Sequence, residues 1–125
     1  MDKKKILLVE DDQVLAGVYK DRLDLEGFDT LWVENGEKAL AEALKYQPDL
    51  ILLDVMMPRV SGFEVLDILR NTKETADIKI IMLTALSQDK NKQQAKDLGA
   101  DDYLVKSQVV MNDVVDRIKY HLNKQ

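Results

Sequence analysis

The sequence predicts an α/β fold in which a five-stranded parallel sheet is covered by helices on both faces. Two observations lead to this fold class. Several short segments are apolar at every position, which is typical of strands buried on both faces of a parallel sheet. These segments alternate with segments of helical spacing, joined by short connections. Alternation of this kind indicates β-α units with right-handed crossovers, so few topologies are possible.

The strands are bounded by clear end signals. Four aliphatic residues, 50–53, stop at Asp54, and Pro58 closes the turn segment that follows. A second uninterrupted apolar run, residues 6–9, stops at a group of three acidic residues, Glu10, Asp11 and Asp12. The five predicted strands are residues 6–9, 28–33, 50–53, 78–83 and 102–105.

The helices have start and stop residues of the expected kinds. Asp12 is suited to cap the first helix, and Gly27 to end it. Ser61 and Glu64 have the spacing of a capping box at the start of the third helix. We expect Ser87 to cap the fourth. The five predicted helices are residues 13–26, 37–46, 62–70, 87–98 and 110–122.

The helical faces predict how each helix is held. The first helix has apolar residues over a wide surface, part of which we expect to remain exposed. Leu44 is expected on the buried face of the second helix, and Ala95 and Leu98 anchor the polar fourth helix. His121, near the end of the last helix, is expected to be solvated. Trp32 is expected to pack within the second strand, without a functional role.

Length and composition restrict the protein class. With 125 residues, the chain is expected to be one domain, residues 1–125, without an output domain. The absence of cysteine excludes disulfides and thiolate chemistry. No signal peptide and no membrane-length apolar segment is present in the sequence, so we expect a soluble cytoplasmic protein without membrane insertion. The net charge of −5 argues against direct nucleic-acid binding.

Polar residues follow four of the predicted strands, at the carboxyl end of each. They are Glu10–Asp12, Asp54, Thr84 and Lys106. Parallel strands place all these ends at one edge of the sheet. In the doubly wound, flavodoxin-like strand order 2-1-3-4-5, the first and third strands are neighbours, and the crevice at their ends is where such sheets bind ligands.

This arrangement predicts chemistry at a cation. Neighbouring carboxylates repel one another unless a cation lies between them, and a small set of oxygen ligands suits Mg²⁺. An aspartate beside Mg²⁺ can act as a nucleophile towards phosphorus. Taken singly, the first acids could merely cap a helix, Thr84 could be a turn residue, and Lys106 a solvated lysine. Their convergence favours the functional interpretation.

At these residues the whole chain resembles the receiver domains of two-component response regulators. The resemblance depends on four motifs in combination: residues 7–12, residues 53–58 followed by Gly62, residues 83–85, and residues 99–106. It implies that Asp54 is the phosphoacceptor. It also implies that Asp11 binds Mg²⁺ directly, Glu10 binds it through water, and the Met56 carbonyl is a further ligand.

The same resemblance implies the roles of the remaining site residues. Thr84 would bond a phosphoryl oxygen and move towards it, and Lys106 would pair with the phosphoryl group and Asp54. Tyr103 would be the aromatic switch that turns inward when Thr84 moves. The sequence departs from the family at Ser107, where proline usually follows the lysine through a cis bond. The Lys106–Ser107 bond is therefore left open as cis or trans.

The function implied is a phosphorylation-controlled signalling switch. A sensor histidine kinase or a histidine phosphotransfer protein would supply the phosphoryl group, and the fourth helix, fifth strand and fifth helix would bind an unknown downstream protein. The protein would not be an enzyme beyond Mg²⁺-assisted self-phosphorylation and slow self-dephosphorylation. It would be a monomer or a weak, phosphorylation-dependent homodimer. The resemblance also places Met56 and Leu86 at positions that affect how fast the phosphoryl group is hydrolysed. Both residues are bulky and apolar, so we expect hindered access of water and a long-lived phosphorylated form.

Three other functions were weighed. A binding module that no longer uses phosphate would be expected to have lost some of the acids or the lysine, and this chain retains them. A phosphatase of the haloacid dehalogenase type needs a second aspartate two residues after the first, where this chain has Met56. A flavin-binding flavodoxin needs a Ser/Thr-rich phosphate loop after the first strand, which is missing here.

Overall fold

The computed structural model describes residues 2–123. Its centre is a five-stranded parallel sheet in the order β2-β1-β3-β4-β5, as the sequence predicted. The strands are β1 (Lys5–Val9), β2 (Asp29–Val33), β3 (Leu50–Leu53), β4 (Lys79–Thr84) and β5 (Asp102–Val105). The α-helices are α1 (Gln13–Leu25), α2 (Gly36–Tyr46), α3 (Gly62–Arg70), α4 (Asp89–Asp97) and α5 (Met111–Asn123).

The strands bury both of their faces, which explains their uninterrupted apolar sequences. Successive side chains of a strand point to opposite faces of the sheet. In β1, Ile6 and Leu8 pack under α1 and α5, whereas Leu7 and Val9 pack under α2, α3 and α4. All four side chains are at most 2% exposed. The sheet therefore separates two hydrophobic cores, one on each face.

The exposed apolar surface of α1 agrees with the prediction from its wide apolar pattern. Val14 is 80% exposed, Val18 53% and Leu25 84%. Leu44 of α2 was predicted to be buried, and this prediction is wrong, since its side chain is 49% exposed. Ala39 and Ala43 hold α2 against the sheet instead. Small residues bring this helix close to the strands and leave Leu44 at its margin.

The fourth helix begins later than predicted. Its N-cap is Gln88, in an extended conformation and without a capping side-chain hydrogen bond, so the prediction that Ser87 caps the helix is wrong. The capping preference of serine is a local tendency, and the backbone after β4 places Ser87 outside the first turn. As predicted, α4 has few apolar anchors: Ala95 is fully buried and Leu98 is partly buried.

His121 is buried, so the prediction that it is solvated is wrong. It is only 6% exposed, and its Nε2 lies 2.8 Å from Oδ2 of Asp102. Arg117 donates from Nη1 to the same carboxylate oxygen at 2.6 Å. Because α5 packs beside β5, the inward face of its last turns meets the first residue of that strand.

None of the helices within residues 2–123 has the length and apolarity needed to cross a bilayer.

Candidate functional site

The acidic residues predicted to converge lie together at the carboxyl edge of the sheet. β1 pairs with β3 so that Val9 lies opposite Leu53, and the residues that follow them are Glu10 and Asp54. One carboxylate oxygen from each of Glu10, Asp11 and Asp54 lies within 4.8 Å of the others. Glu10 is 2% exposed and Asp54 4%, whereas Asp11 is exposed. The cluster is therefore a buried pair with one acid open to solvent.

Lys106 joins the cluster from the end of β5, the edge strand of the sheet. Its Nζ lies 2.7 Å from Oε1 of Glu10 and 2.9 Å from Oδ2 of Asp54. Lys106 directly follows β5, and β4 lies between β5 and the strand that carries Asp54. The lysine side chain therefore crosses the end of β4, and one ammonium group serves two buried carboxylates.

Burial and ion pairing act against each other on these groups. Burial raises the pKa of Glu10 above its usual value, and the charge of Asp54 adds to this effect. The hydrogen bonds from Lys106 and from the Asp12 N–H oppose it but do not cancel it. Burial lowers the pKa of Lys106, but its hydrogen bonds to Glu10 and Asp54 outweigh burial and raise the pKa overall. Lys106 is therefore a cation at neutral pH.

Backbone groups after β3 and at the end of β1 hold Asp54 from two sides. The N–H of Met56 donates to Oδ1 of Asp54 at 3.2 Å, and the N–H of Asp54 donates to the Val9 carbonyl at 3.1 Å. Gly62, the first residue of α3, lies against this backbone. A Cβ atom added to Gly62 would lie 2.1 Å from the carbonyl oxygen of Asp54. A glycine is therefore required for α3 to begin so close to the phosphoacceptor candidate.

The segment after β5 places Lys106 without the family's proline. No peptide bond within residues 2–123 is cis, so the Lys106–Ser107 bond, which the sequence left open, is trans. A short 3-10 helix, Lys106–Gln108, follows β5 and leads to α5. The ammonium group reaches both carboxylates from this backbone.

Thr84 and Tyr103, the two predicted switch residues, are connected through Leu86. Thr84 is fully buried at the end of β4, and its Oγ1 accepts a hydrogen bond from the Leu86 N–H at 3.3 Å. The hydroxyl of Tyr103 donates to the Leu86 carbonyl at 2.8 Å. The backbone of one residue therefore links the strand that ends at the site to the tyrosine of β5.

Met56 lies at the mouth of the site with its side chain 56% exposed. Together with Asp11 and Pro58 it lines an open groove of about 460 Å³. Met57, in contrast, packs partly buried against the core. The two neighbouring methionines therefore differ, since Met57 packs against the core whereas the Met56 side chain lies beside the acidic cluster and faces solvent.

Sequence reasoning missed a contact of Trp32. Its indole Nε1 donates to the backbone carbonyl of Glu10 at 2.8 Å. Trp32 also packs against the core, as expected. Asp12, expected from the sequence to cap the first helix, is the N-cap of α1, and its side chain accepts from the Leu15 N–H at 3.1 Å. Trp32 is the only tryptophan and stands near the end of a strand, but no local pattern indicates where its N–H points.

The donor set suits a hard divalent cation. Glu10, Asp11 and Asp54 provide carboxylate oxygens only, and such cations prefer oxygen ligands. The exposure of Asp11 leaves one side of the cluster open, so water can complete the coordination that a small cation requires. Lys106 takes one oxygen each of Glu10 and Asp54. Each of these two carboxylates has a second oxygen that the lysine does not occupy.

A known protein family matches the part of the chain that carries the acidic cluster and Lys106. The family described as "Response regulator receiver domain" matches residues 6–119. The chain is 45% identical over 102 residues to the DNA-binding dual master transcriptional regulator RpaA of Synechocystis, which covers 82% of this chain and 42% of that protein. The identity and both coverages are the same for the transcriptional regulatory protein CpxR of Escherichia coli. The chain thus spans less than half the length of these relatives.

Solved structures with the same fold extend over nearly the whole chain. A receiver domain protein (CheY-like) from Methanospirillum hungatei is 28% identical with a TM-score of 0.91, covering 98% of this chain and 95% of that one. The BeF3-activated receiver domain of Klebsiella pneumoniae RstA is 29% identical with a TM-score of 0.90, covering 97% and 100%. The chain therefore belongs to the response regulator receiver domain family, the phosphorylation-controlled signalling domains of two-component systems.

Proposed function

We propose that Asp54 accepts a phosphoryl group from a sensor histidine kinase or a histidine phosphotransfer protein in a Mg²⁺-dependent reaction. One observation carries this proposal above the others. Asp54 is 4% exposed and pairs with Lys106 at 2.9 Å, while Glu10 and Asp11 offer oxygens within 4.8 Å of it. A carboxylate with a cation on one side and an acidic cluster on the other is prepared to take part in charge-neutralised phosphoryl transfer.

The transfer joins one oxygen of Asp54 to phosphorus. In the same step the bond between phosphorus and the imidazole nitrogen of the donor breaks, and its electron pair stays on that nitrogen. The product is an acyl phosphate on Asp54. Negative charge on the phosphoryl oxygens is stabilised by the Lys106 ammonium, which already lies at hydrogen-bond distance from the carboxylate.

The cation would be held by Glu10, Asp11, Asp54 and the carbonyl of Met56. Bound Mg²⁺ would neutralise charge on the transferring phosphoryl group. The protein residues have separate tasks. Glu10 binds Lys106 and so keeps the ammonium beside Asp54, while the Met56 N–H orients one oxygen of the nucleophile. Thr84 offers a hydroxyl to a phosphoryl oxygen from the end of β4.

Phosphorylation would act on a two-state equilibrium through the link between Thr84 and Tyr103. Movement of Thr84 towards a phosphoryl oxygen would disturb its hydrogen bond with the Leu86 N–H, and Leu86 also holds the Tyr103 hydroxyl. Tyr103 lines a cavity of about 290 Å³ between α4 and β5. The surface formed by α4, β5 and α5 would therefore bind an unknown downstream protein in a phosphorylation-dependent manner.

Our proposal also covers catalytic scope, location and oligomeric state. The chain would catalyse no reaction other than its own phosphorylation and slow dephosphorylation. Its site offers one nucleophile, Asp54, and position 56, where a phosphatase would need a second aspartate, is a methionine. We propose a cytoplasmic protein that is a monomer or a weak, phosphorylation-dependent homodimer. The net charge of −5 argues against direct contact with nucleic acid by this chain.

The test is labelling with a small phosphodonor. Incubation of the protein with acetyl phosphate and Mg²⁺ should add one phosphoryl group, detected by intact mass spectrometry. Asp54→Asn or chelation of Mg²⁺ should abolish the addition. Asp49 precedes the strand that Asp54 follows, and its carboxylate accepts from the Lys5 N–H at the opposite edge of the sheet.

Asp49→Asn is therefore the matched control, and this variant should be labelled like the unmodified protein. Persistence of the label in Asp54→Asn would contradict the proposal. So would equal labelling in the presence and absence of Mg²⁺.

A further inference from the structure

The single tryptophan of the chain holds the backbone of a metal-site acid. Trp32 lies on β2 opposite Leu8 of β1, and its indole N–H donates to the Glu10 carbonyl at 2.8 Å. The N–H of Glu10 donates in turn to the carbonyl of Val33 at 3.2 Å. Both polar groups of the Glu10 backbone are therefore attached to neighbouring residues of β2.

The indole N–H provides a hydrogen bond to β1 just beyond the last paired residues of β1 and β2. The paired register of β1 and β2 ends with Val9 opposite Val33, one residue before Glu10. Past that point the carbonyl of Glu10 receives its hydrogen bond from a side chain, not from the partner strand. Trp32 is itself half-buried and packed against the core that includes α1, and this packing restrains the position of its ring. A fixed donor restricts the direction of the Glu10 peptide.

The conformation of Glu10 matters because its side chain has two tasks. Oε1 accepts from Lys106 at 2.7 Å, and Oε2 accepts from the Asp12 N–H at 3.1 Å. The side chain is only 2% exposed, so solvent cannot replace a lost contact easily. A rotation of the peptide between Glu10 and Asp11 would displace Asp11 and the Asp12 N–H relative to the Glu10 carboxylate, and so would change the geometry of the cation cluster.

We propose that Trp32 is a positioning residue for the Mg²⁺ site, acting through the Glu10 carbonyl. This inference rests on the proposed function. Trp32 does not touch the cation or the reacting atoms. It holds the peptide between Glu10 and Asp11 in the orientation in which the Asp12 N–H binds the Glu10 carboxylate and Asp11 lies beside it for the metal. Loss of the indole N–H therefore weakens Mg²⁺ binding even when the packing of the ring is kept.

The experiment removes the N–H and keeps the ring. Because the sequence has one tryptophan, replacing tryptophan throughout by β-(3-benzothienyl)alanine changes position 32 alone and exchanges N–H for sulfur. Titration calorimetry with Mg²⁺, without a phosphodonor, should show binding weakened about two- to tenfold. This range corresponds to a net hydrogen bond of roughly 0.5–1.5 kcal/mol at about 1.4 kcal/mol per tenfold. Trp32→Phe is the second variant and should shift binding in the same direction.

Tyr46→Phe is the matched control. The Tyr46 hydroxyl donates to the Asp29 carbonyl at 2.8 Å, so this variant also removes one side-chain bond to a strand carbonyl, at the opposite end of β2. Its affinity for Mg²⁺ should be unchanged. In labelling with acetyl phosphate, the Trp32 variants should need more Mg²⁺ for half-maximal rate and reach the same rate at saturation.

The outcomes separate this inference from the proposed function. Unchanged Mg²⁺ affinity in the benzothienyl protein, or an equal loss in Tyr46→Phe, would overturn the role of Trp32 and leave the proposed function standing. If the unmodified protein neither binds Mg²⁺ nor becomes labelled, the proposed function fails, and the role of Trp32 fails with it.

Discussion

The Nζ atom of Lys106 lies 2.9 Å from Oδ2 of Asp54, although 52 residues separate the two in the sequence. The same ammonium group lies 2.7 Å from Glu10, so two buried carboxylates share one cation. Removing one member of a buried charge cluster leaves the remaining charges buried without compensation. Such a loss strongly destabilises the folded protein. We therefore expect the loss of Lys106 to destabilise the protein, and we expect a bound cation to reduce this destabilisation.

Lys106→Met should lower the free energy of unfolding by about 1–3 kcal/mol in the absence of Mg²⁺. The methionine keeps much of the aliphatic volume but leaves Glu10 and Asp54 facing each other without the ammonium group. Added Mg²⁺ should restore part of the loss, because a bound cation replaces the missing charge. Urea unfolding with and without Mg²⁺ measures both effects.

Lys119→Met is the control for removing a lysine. Lys119 pairs with Glu26 at 2.8 Å, but its side chain is 49% exposed, and such surface pairs contribute about 0–1 kcal/mol. Mg²⁺ should stabilise this variant no more than it stabilises the unmodified protein. The interpretation of the Lys106 cluster is wrong if the two variants respond to Mg²⁺ alike.

Gly62→Ala should disrupt the site and the start of α3. The added Cβ would lie 2.1 Å from the Asp54 carbonyl oxygen and 2.7 Å from Cα of Val55, so the backbone itself must shift. We expect a loss of about 2–4 kcal/mol in unfolding free energy and slower labelling of Asp54. Thermal unfolding and the labelling rate check these two consequences.

Gly17→Ala is the matched substitution on α1. A Cβ at Gly17 would meet nothing within 4 Å, and alanine is the better residue inside a helix, by about 1 kcal/mol. This variant should be more stable than the unmodified protein and should be labelled at the same rate. Equal behaviour of the two alanine variants would show that the close approach of Gly62 to Asp54 has no consequence.

Asp102→Asn should destabilise the protein at neutral pH but not in acid. Burial raises the pKa of Asp102, but the hydrogen bonds from His121, Arg117 and the Tyr103 N–H outweigh it and hold the pKa below the ordinary 3.8. A carboxyl with a lowered folded-state pKa stabilises the protein above its unfolded pKa, and this contribution is lost as the pH falls through the folded value.

The difference in unfolding free energy between the native protein and Asp102→Asn should therefore be about 1–2 kcal/mol at pH 7. It should shrink once the pH falls below 3.8. Urea unfolding at a series of pH values measures it. Asp24→Asn is the control, because Asp24 pairs with Lys20 on the exposed surface of α1 and should cost little at any pH. A gap that does not change with pH would show that the carboxylate charge of Asp102 is irrelevant.

Met56→Asn should shorten the life of the phosphorylated protein. The Met56 side chain is 56% exposed at the mouth of the site, where an amide could bind the attacking water and a thioether cannot. One hydrogen bond in the transition state would speed hydrolysis about two- to tenfold. Loss of the label is followed by mass spectrometry after the donor is removed.

Ile68→Asn is the control for this substitution. Ile68 is an exposed apolar residue of α3, 47% exposed and outside the acidic cluster, so its replacement should not change the decay of the label. An unchanged decay rate in Met56→Asn would mean that the side chain at position 56 does not influence the attack of water on the phosphoryl group.

Much of the fold was predictable because its signals are local. The runs that end at Val9 and Leu53 are apolar throughout, and strands buried on both faces require this pattern. The capping box at Ser61 is present as predicted, with both of its hydrogen bonds. Glu10 and Asp54 could be placed side by side without coordinates, because parallel strands bring their carboxyl ends to the same edge.

Two of the wrong predictions, those for His121 and Leu44, concern contacts between elements. His121 was expected to be solvated because it stands near a helix end, yet it meets Asp102, 19 residues away. Leu44 has the spacing of a buried residue but lies beyond the edge of the packed face. Helical spacing indicates which side of a helix is apolar, and the neighbouring elements determine how far the covered surface extends.

Trp32 shows the same limit of prediction from the sequence within the site. That its strand ends near the acidic cluster follows from the sequence, but the direction of one indole N–H depends on how β2 pairs with β1 and how the ring packs beneath α1. The path of Lys106 is of the same kind, since its backbone bond could have been cis or trans. Periodicity and strand order bring the acids together, whereas the hydrogen bonds that orient them form only when distant elements are packed.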